Sequence, residues 1–133
     1  DPVGSSDVSG ETVYFGPNQF GCGFDIIGGT NVHARTSYGR RRVGIKTQVT
    51  CAVPVNIRIT VTVYRRRGWI WWENMGTETR QTVGPSDVLV VKDANTRCAP
   101  GRHYYFAIIT FETWFGGRSS WTRWRSPGSY STC

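Results

Sequence analysis

The hydrophobic and polar positions along this chain repeat with a period of two, the signature of strands with one buried face. The clearest run is Val55, Ile57, Ile59, Val61 and Val63, with Asn56, Arg58, Thr60, Thr62 and Tyr64 on the opposite parity. Just before it, Val43, Ile45, Thr47, Val49 and Cys51 alternate with Gly44, Lys46, Gln48 and Thr50. Pro54 separates the two runs and predicts a turn or the first position of a new strand. Shorter strands are expected at Phe20 to Ile27, Trp69 to Trp72, Thr77 to Val83, Asp87 to Lys92 and Ser120 to Arg125. The run Arg102 to Thr113 is apolar on both parities, which predicts a central strand covered on both faces. Turn signals fall between these runs at Gly28-Gly29, Arg65-Arg66-Arg67-Gly68, Gly84-Pro85 and Gly116-Gly117.

Seven to nine short strands with turns every 8 to 12 residues or so predict an all-β, antiparallel, Ig-like β-sandwich or a small barrel. No helical periodicity extends beyond two turns. Composition agrees, since Leu and Met each occur once and β-branched and aromatic residues fill the apolar positions. At 133 residues the chain is expected to form one β-domain over residues 20–133, preceded by an extended arm over residues 1–19. In that arm Val13, Tyr14 and Phe15 form a short β-like run, read either as a first edge strand or as a strand donated to a partner's sheet.

Four widely spaced cysteines, Cys22, Cys51, Cys98 and Cys133, lack the tight spacing of a zinc site and predict two disulfides formed in an oxidising compartment. Three pairings are open. The inward parity of Cys51 favours Cys51–Cys98, with Cys22–Cys133 pinning the C-terminus; sequential pairing of Cys22–Cys51 and Cys98–Cys133 is the main alternative. The absence of a long apolar stretch predicts no membrane span, and Asp1 reads as a trimmed or mature N-terminus. These signs together predict an extracellular protein.

Two stretches carry a family likeness. One runs from Val49-Thr50-Cys51 through Pro54 into Ile57 to Tyr64; the other is Cys98-Ala99-Pro100-Gly101-Arg102-His103-Tyr104-Tyr105, with Trp121 following. They resemble the small secreted Ig-like proteins of actinobacteria over roughly residues 43–125. The resemblance implies an Ig-like sandwich, and for some proteins of this kind a place as the small subunit of a secreted toxin particle, such as the umbrella toxins of Streptomyces. The pattern departs from antibody domains, because Cys98 precedes its strand instead of lying within it.

Net charge is +7, from 14 Arg and two Lys against nine acids. Such a surface attracts acidic proteins, anionic wall polymers or nucleic acid, and with no RNA-binding motif nucleic acid ranks last. Arg and Trp are the residue types most enriched at binding hot spots. The expected binding residues are therefore Arg65, Arg66, Arg67, Trp69, Trp71 and Trp72 around one hairpin, Trp114 at a loop tip, and Trp121, Arg123, Trp124 and Arg125 on one strand. Catalytic groups are sparse. His33 and His103 are the only histidines, and Asp25, Glu73, Glu78, Asp87, Asp93 and Glu112 are scattered. No cofactor or metal is expected. The leading expectation is a non-catalytic, protein-binding adaptor. The alternatives are a carbohydrate or cell-wall binder using exposed Trp and Arg, and a small basic ribonuclease assembled from Glu73, Glu112, Arg58, Arg102 and His103.

Overall fold

The computed structural model describes residues 11–15, 20–27, 32–34, 42–67, 71–91 and 95–132. These residues form strands and connecting segments, with no helix among them. Eleven strands follow in order: β1 (Glu11–Phe15), β2 (Gly23–Ile27), β3 (His33–Ala34), β4 (Arg42–Gly44), β5 (Lys46–Arg67), β6 (Trp71–Gln81), β7 (Ser86–Val91), β8 (Asn95–Arg97), β9 (Arg102–Phe115), β10 (Arg118–Arg125) and β11 (Ser129–Thr132). The all-β, antiparallel expectation holds. Strands β3, β4 and β8 form a separate three-stranded sheet, and the other eight belong to one curled sheet.

The curl is carried by β5. The two alternating runs that the sequence separates at Pro54 are one strand of 22 residues. Its first half pairs with β2 and β7, and its second half with β6 and β9. Pro54 is tolerated because it lies in the exposed stretch Ala52 to Pro54, where the ladder to β7 skips from Thr50 to Val55 and asks for no N–H. Phe24 sits opposite Val49 of β5, and Phe111 sits opposite Ile59. Ten residues of straight strand would hold those positions about 33 Å apart. Yet the two rings stack with centroids 4.2 Å apart, so β5 must bend back on itself.

The bend brings the odd-numbered side chains of both halves of β5 into one core. Val49, Val55, Ile57, Ile59 and Val63 are completely buried, alongside Ile45, Tyr105, Ala107 and Ile109. Trp124, expected on a binding surface, belongs to this core at 1% exposure, with its ring edge toward Phe24. Strand parity explains the difference: Trp124 stands opposite Ile109, which is buried, whereas Trp121 stands opposite Glu112 on the other side of the sheet.

β9 lies between β5 and β10, central as expected, but only its odd face is buried under another layer. On its even face Tyr104 and Phe106 are covered by side chains of neighbouring strands, among them Tyr64 and Trp72. Gly116 and Gly117, at φ 59° and 78°, make the two-residue turn from β9 into β10, in which Phe115 pairs with Arg118. The arginines Arg65, Arg66 and Arg67 were expected in a hairpin loop. They instead extend β5, paired with Glu73, Trp72 and Trp71, and the connection falls at residues 68–70, outside the described residues.

The structure also corrects the favoured cysteine pairing. Cys22 is bonded to Cys51, with Cα atoms 3.9 Å apart. Gly23 pairs with Thr50, so the two cysteines occupy facing positions of adjacent strands. The Ala52 N–H donates to the carbonyls of Phe20 and Gly21 and holds the approach. Cys51 does point inward, as its parity predicts, but the edge of β2 reaches it before Cys98 can. Cys98 is buried beside the Tyr105 hydroxyl and is itself disulfide-bonded. Cys133, its partner under sequential pairing, lies outside the described residues. The expected Cys51–Cys98 and Cys22–Cys133 bridges are therefore both replaced.

Three outcomes are expected. Replacing Cys22 and Cys51 together by serine releases a loop of 29 residues and costs about 3–4 kcal/mol in a urea titration. Non-reducing peptide mapping recovers Cys22 joined to Cys51 and no Cys51–Cys98 peptide. Trp124→Ala costs about 3–5 kcal/mol in the same titration, whereas Trp71→Ala, at a side chain 72% exposed, changes stability by less than about 0.5 kcal/mol.

Candidate functional site

The even-numbered face of the main sheet, opposite the core, gathers most of the expected site residues. Its rows follow from register. Gln81, Arg58, Glu112 and Trp121 stand side by side across β6, β5, β9 and β10; Thr79, Thr60, Thr110 and Arg123 form the next row, and Thr77, Thr62, Ile108 and Arg125 the third. Further along, Tyr64 faces Phe106 and Arg66 faces Trp72. Tyr130 of β11 pairs with Tyr104. A band of threonines thus lies between two ends rich in aromatic rings. The threonine hydroxyls bond in pairs across β5 and β6, Thr62 with Thr77 at 3.0 Å and Thr79 to Thr60 at 3.5 Å.

At one end, Arg58 grips Glu112 in a bidentate pair, Nη2 to Oε2 at 2.7 Å and Nε to Oε1 at 3.2 Å. The carboxylate raises the Arg58 pKa above the ordinary guanidinium value, by hydrogen bonding first and by charge second. The same guanidinium lies over the Trp114 ring at 5.1 Å, and Arg123 lies over Trp121 at 5.5 Å. Asn56 donates to the Trp114 carbonyl at 3.0 Å and fixes the strand end. Between these groups opens a cleft of about 200 Å³, lined by Arg58, Glu112, Trp114, Ser119 and Trp121.

At the other end, Tyr64 stacks on Phe106 at 5.0 Å and Trp72 meets Phe106 edge-on at 4.4 Å. Arg125 covers Phe106 at 4.3 Å and Arg102 covers Tyr130 at 4.6 Å. None of these aromatic contacts was legible in the sequence, because they join residues from β5, β6, β9, β10 and β11. Parity alone could have placed Tyr64, Tyr104 and Phe106 on the same face as Arg123.

The remaining expected residues lie elsewhere. Trp71 is exposed and pairs with Arg67 on the opposite parity. Arg65 and Arg67 both reach Glu73, at 2.6 and 3.2 Å. Arg66 is exposed on the even parity, and Trp69 falls outside the described residues. Residues 11–15 of the expected arm form β1 along the edge of β10, with Tyr14 opposite Arg123 and Phe15 opposite Thr122. In this chain that segment extends its own sheet.

The ribonuclease constellation is not brought together. Glu112 is held by Arg58, Glu73 is held by Arg65 on the other side of the sheet, and His103 stands nine residues from Glu112 along β9. That separation is about 30 Å. The His103 ring is bonded at 2.9 Å to the Pro100 carbonyl, as a structural histidine is. The side chain of His33 lies outside the described residues. Among the described residues no helix is long and apolar enough to cross a membrane. No protein family model, no curated protein and no solved structure matches this chain.

Hydrogen bonding from Arg65, reinforced by its charge and that of Arg67, holds the Glu73 carboxyl below the ordinary glutamate range against a smaller desolvation effect. A carboxylate depressed on folding stabilises the native state above its unfolded pKa. That contribution is lost as pH falls through the lower, folded value. In a carboxyl NMR titration Glu73 is expected to titrate below free glutamate, and Arg65→Gln to move it back up. A Glu73 pKa unmoved by Arg65→Gln would show that the ion pair does not set it.

Proposed function

We propose that this chain is a secreted, non-catalytic interaction module of Ig-like type that binds a protein partner through the even face of its main sheet, as an adaptor in an extracellular assembly. The observation that carries this reading is how the aromatic rings are used. Trp114, Trp121, Tyr130 and Phe106 each have a guanidinium laid over one face. A base or sugar platform needs its ring faces open. Here the rings act as backing for arginines, and the surface so made is rich in Arg and Trp, as binding hot spots are. The Cys22–Cys51 bridge supports an oxidising compartment. The likeness to secreted actinobacterial proteins supports the adaptor role.

One observation favours a second reading. The cleft of about 200 Å³ between Trp114 and Trp121 has room for a single sugar ring, with the Arg58–Glu112 pair offering both donors and an acceptor to vicinal hydroxyls. Carbohydrate or cell-wall binding would then be local to that end of the face.

The two readings separate in one experiment. The protein is recovered from the culture medium of its source and co-purifying material is identified by mass spectrometry, in parallel with sedimentation on insoluble cell wall. The expected result is a stoichiometric protein partner, lost on Arg123→Glu with Arg125→Glu. Retention on cell wall, abolished by Trp121→Ala and unaffected by the arginine changes, would replace the protein reading with the carbohydrate one.

A further inference from the structure

Two sets of arginines among the described residues contrast. Arg42, Arg58, Arg65, Arg67 and Arg80 each reach a glutamate. Arg102, Arg123 and Arg125 reach no carboxylate among the described side chains. Each instead lies over an aromatic ring, Tyr130, Trp121 and Phe106 respectively. All three leave the same face of the sheet, since Arg123 and Arg125 share the parity of Trp121 and Arg102 shares that of Tyr104 and Phe106.

Stacking on a ring uses the flat face of a guanidinium and leaves its five in-plane N–H donors for another partner. It also restricts a long, flexible side chain before any ligand arrives, which lowers the entropy cost of binding. The charge balance of the face points the same way. By register it carries Arg58, Arg102, Arg123 and Arg125 against Glu112, which is held by Arg58. Three formal positive charges remain in excess.

We infer that the partner seated on this face is an acidic protein surface, whose carboxylates take the ring-backed forks of Arg102, Arg123 and Arg125. This rests on the protein-binding reading above and names the chemistry of the partner. Fork geometry suits carboxylate, which accepts two parallel N–H bonds in plane. Arg123 and Arg125 sit at i and i+2, about 6.8 Å apart along the strand, the spacing at which an extended partner chain presents alternate side chains. The threonine band beside them supplies hydroxyls that match a polar polypeptide. Nucleic acid or a sulfated polysaccharide would satisfy the charge but would leave the covered rings without a stacking role.

The test uses fluorescein-labelled poly-L-glutamate as the probe, with heparin and polyuridylate as competing polyanions, read by anisotropy at two salt concentrations. Arg102→Gln, Arg123→Gln and Arg125→Gln together are expected to weaken poly-L-glutamate binding at least about ten-fold. A control, Lys46→Gln with Arg97→Gln and Arg118→Gln, removes the same charge from other surfaces and should change binding less than about two-fold. Arg123→Gln alone, at an exposed side chain, gives a readout if the triple variant does not fold.

Equal weakening by the control would overturn the inference, because net charge alone would then explain binding. Tighter binding of heparin or polyuridylate would overturn both the acidic-protein inference and the protein-binding reading. Failure to bind poly-L-glutamate, with a protein partner still co-purifying from the medium, would overturn only the acidic chemistry and leave the module reading standing.

Discussion

The contact on which this structure depends is the stack of Phe24 on Phe111 across the bent β5. A strand of 22 residues is too long to run straight through a domain of this size. Packing Phe24 against Phe111 and Trp124 gives the two halves of β5 a common interior. Once that interior is closed, parity is fixed along the whole strand. Thr47, Val49, Cys51 and the odd residues from Val55 to Val63 are inward, and the even residues from Asn56 to Tyr64 are committed to the other face. A slip of one residue would exchange the two sets. The outer face is thus the complement of the core, set by the same alternation.

That alternation is also why so much was legible beforehand. The buried run Val55 to Val63, the central position of β9 and the turn at Gly116-Gly117 each follow from local pattern, because strand period and turn chemistry are local properties. What was misread depended on partners far along the chain. Pro54 reads locally as a turn or a strand start, because local rules cannot show that β7 leaves that stretch unpaired. Cys51 was assigned to Cys98 because inward parity names a side and not a neighbour. Parity sets Trp124 with the buried Thr122, opposite Trp121, but does not say which of the two faces is core, and Arg65 to Arg67 read locally as a loop because their glutamate partner, Glu73, lies across the turn.

The candidate site was readable as residue types and unreadable as an arrangement. Trp, Tyr and Arg were recognisable as binding stock, yet their number could not say which rings would be open. In the structure Arg58, Arg102, Arg123 and Arg125 each lie over a ring of the face, and Arg58 is also held against Glu112. This separates a surface that stacks on ligands from one that presents rigid donors to them. Arg58 does both, since it is paired with Glu112 and layered on Trp114, and it closes one end of the face.

Because β5 is a ladder partner in both halves of the curled sheet, neither half owns a complete set of hydrogen bonds without it. Local openings that spare β5 can only fray the margins, at β1 or β11. An opening that reaches β5 exposes both halves together. Amide protons of Ile57 to Val63 should therefore exchange with solvent through whole-domain unfolding, as a single cooperative unit. This has a practical meaning: a protease finds few intermediate openings to cut, and resistance to digestion tracks global stability.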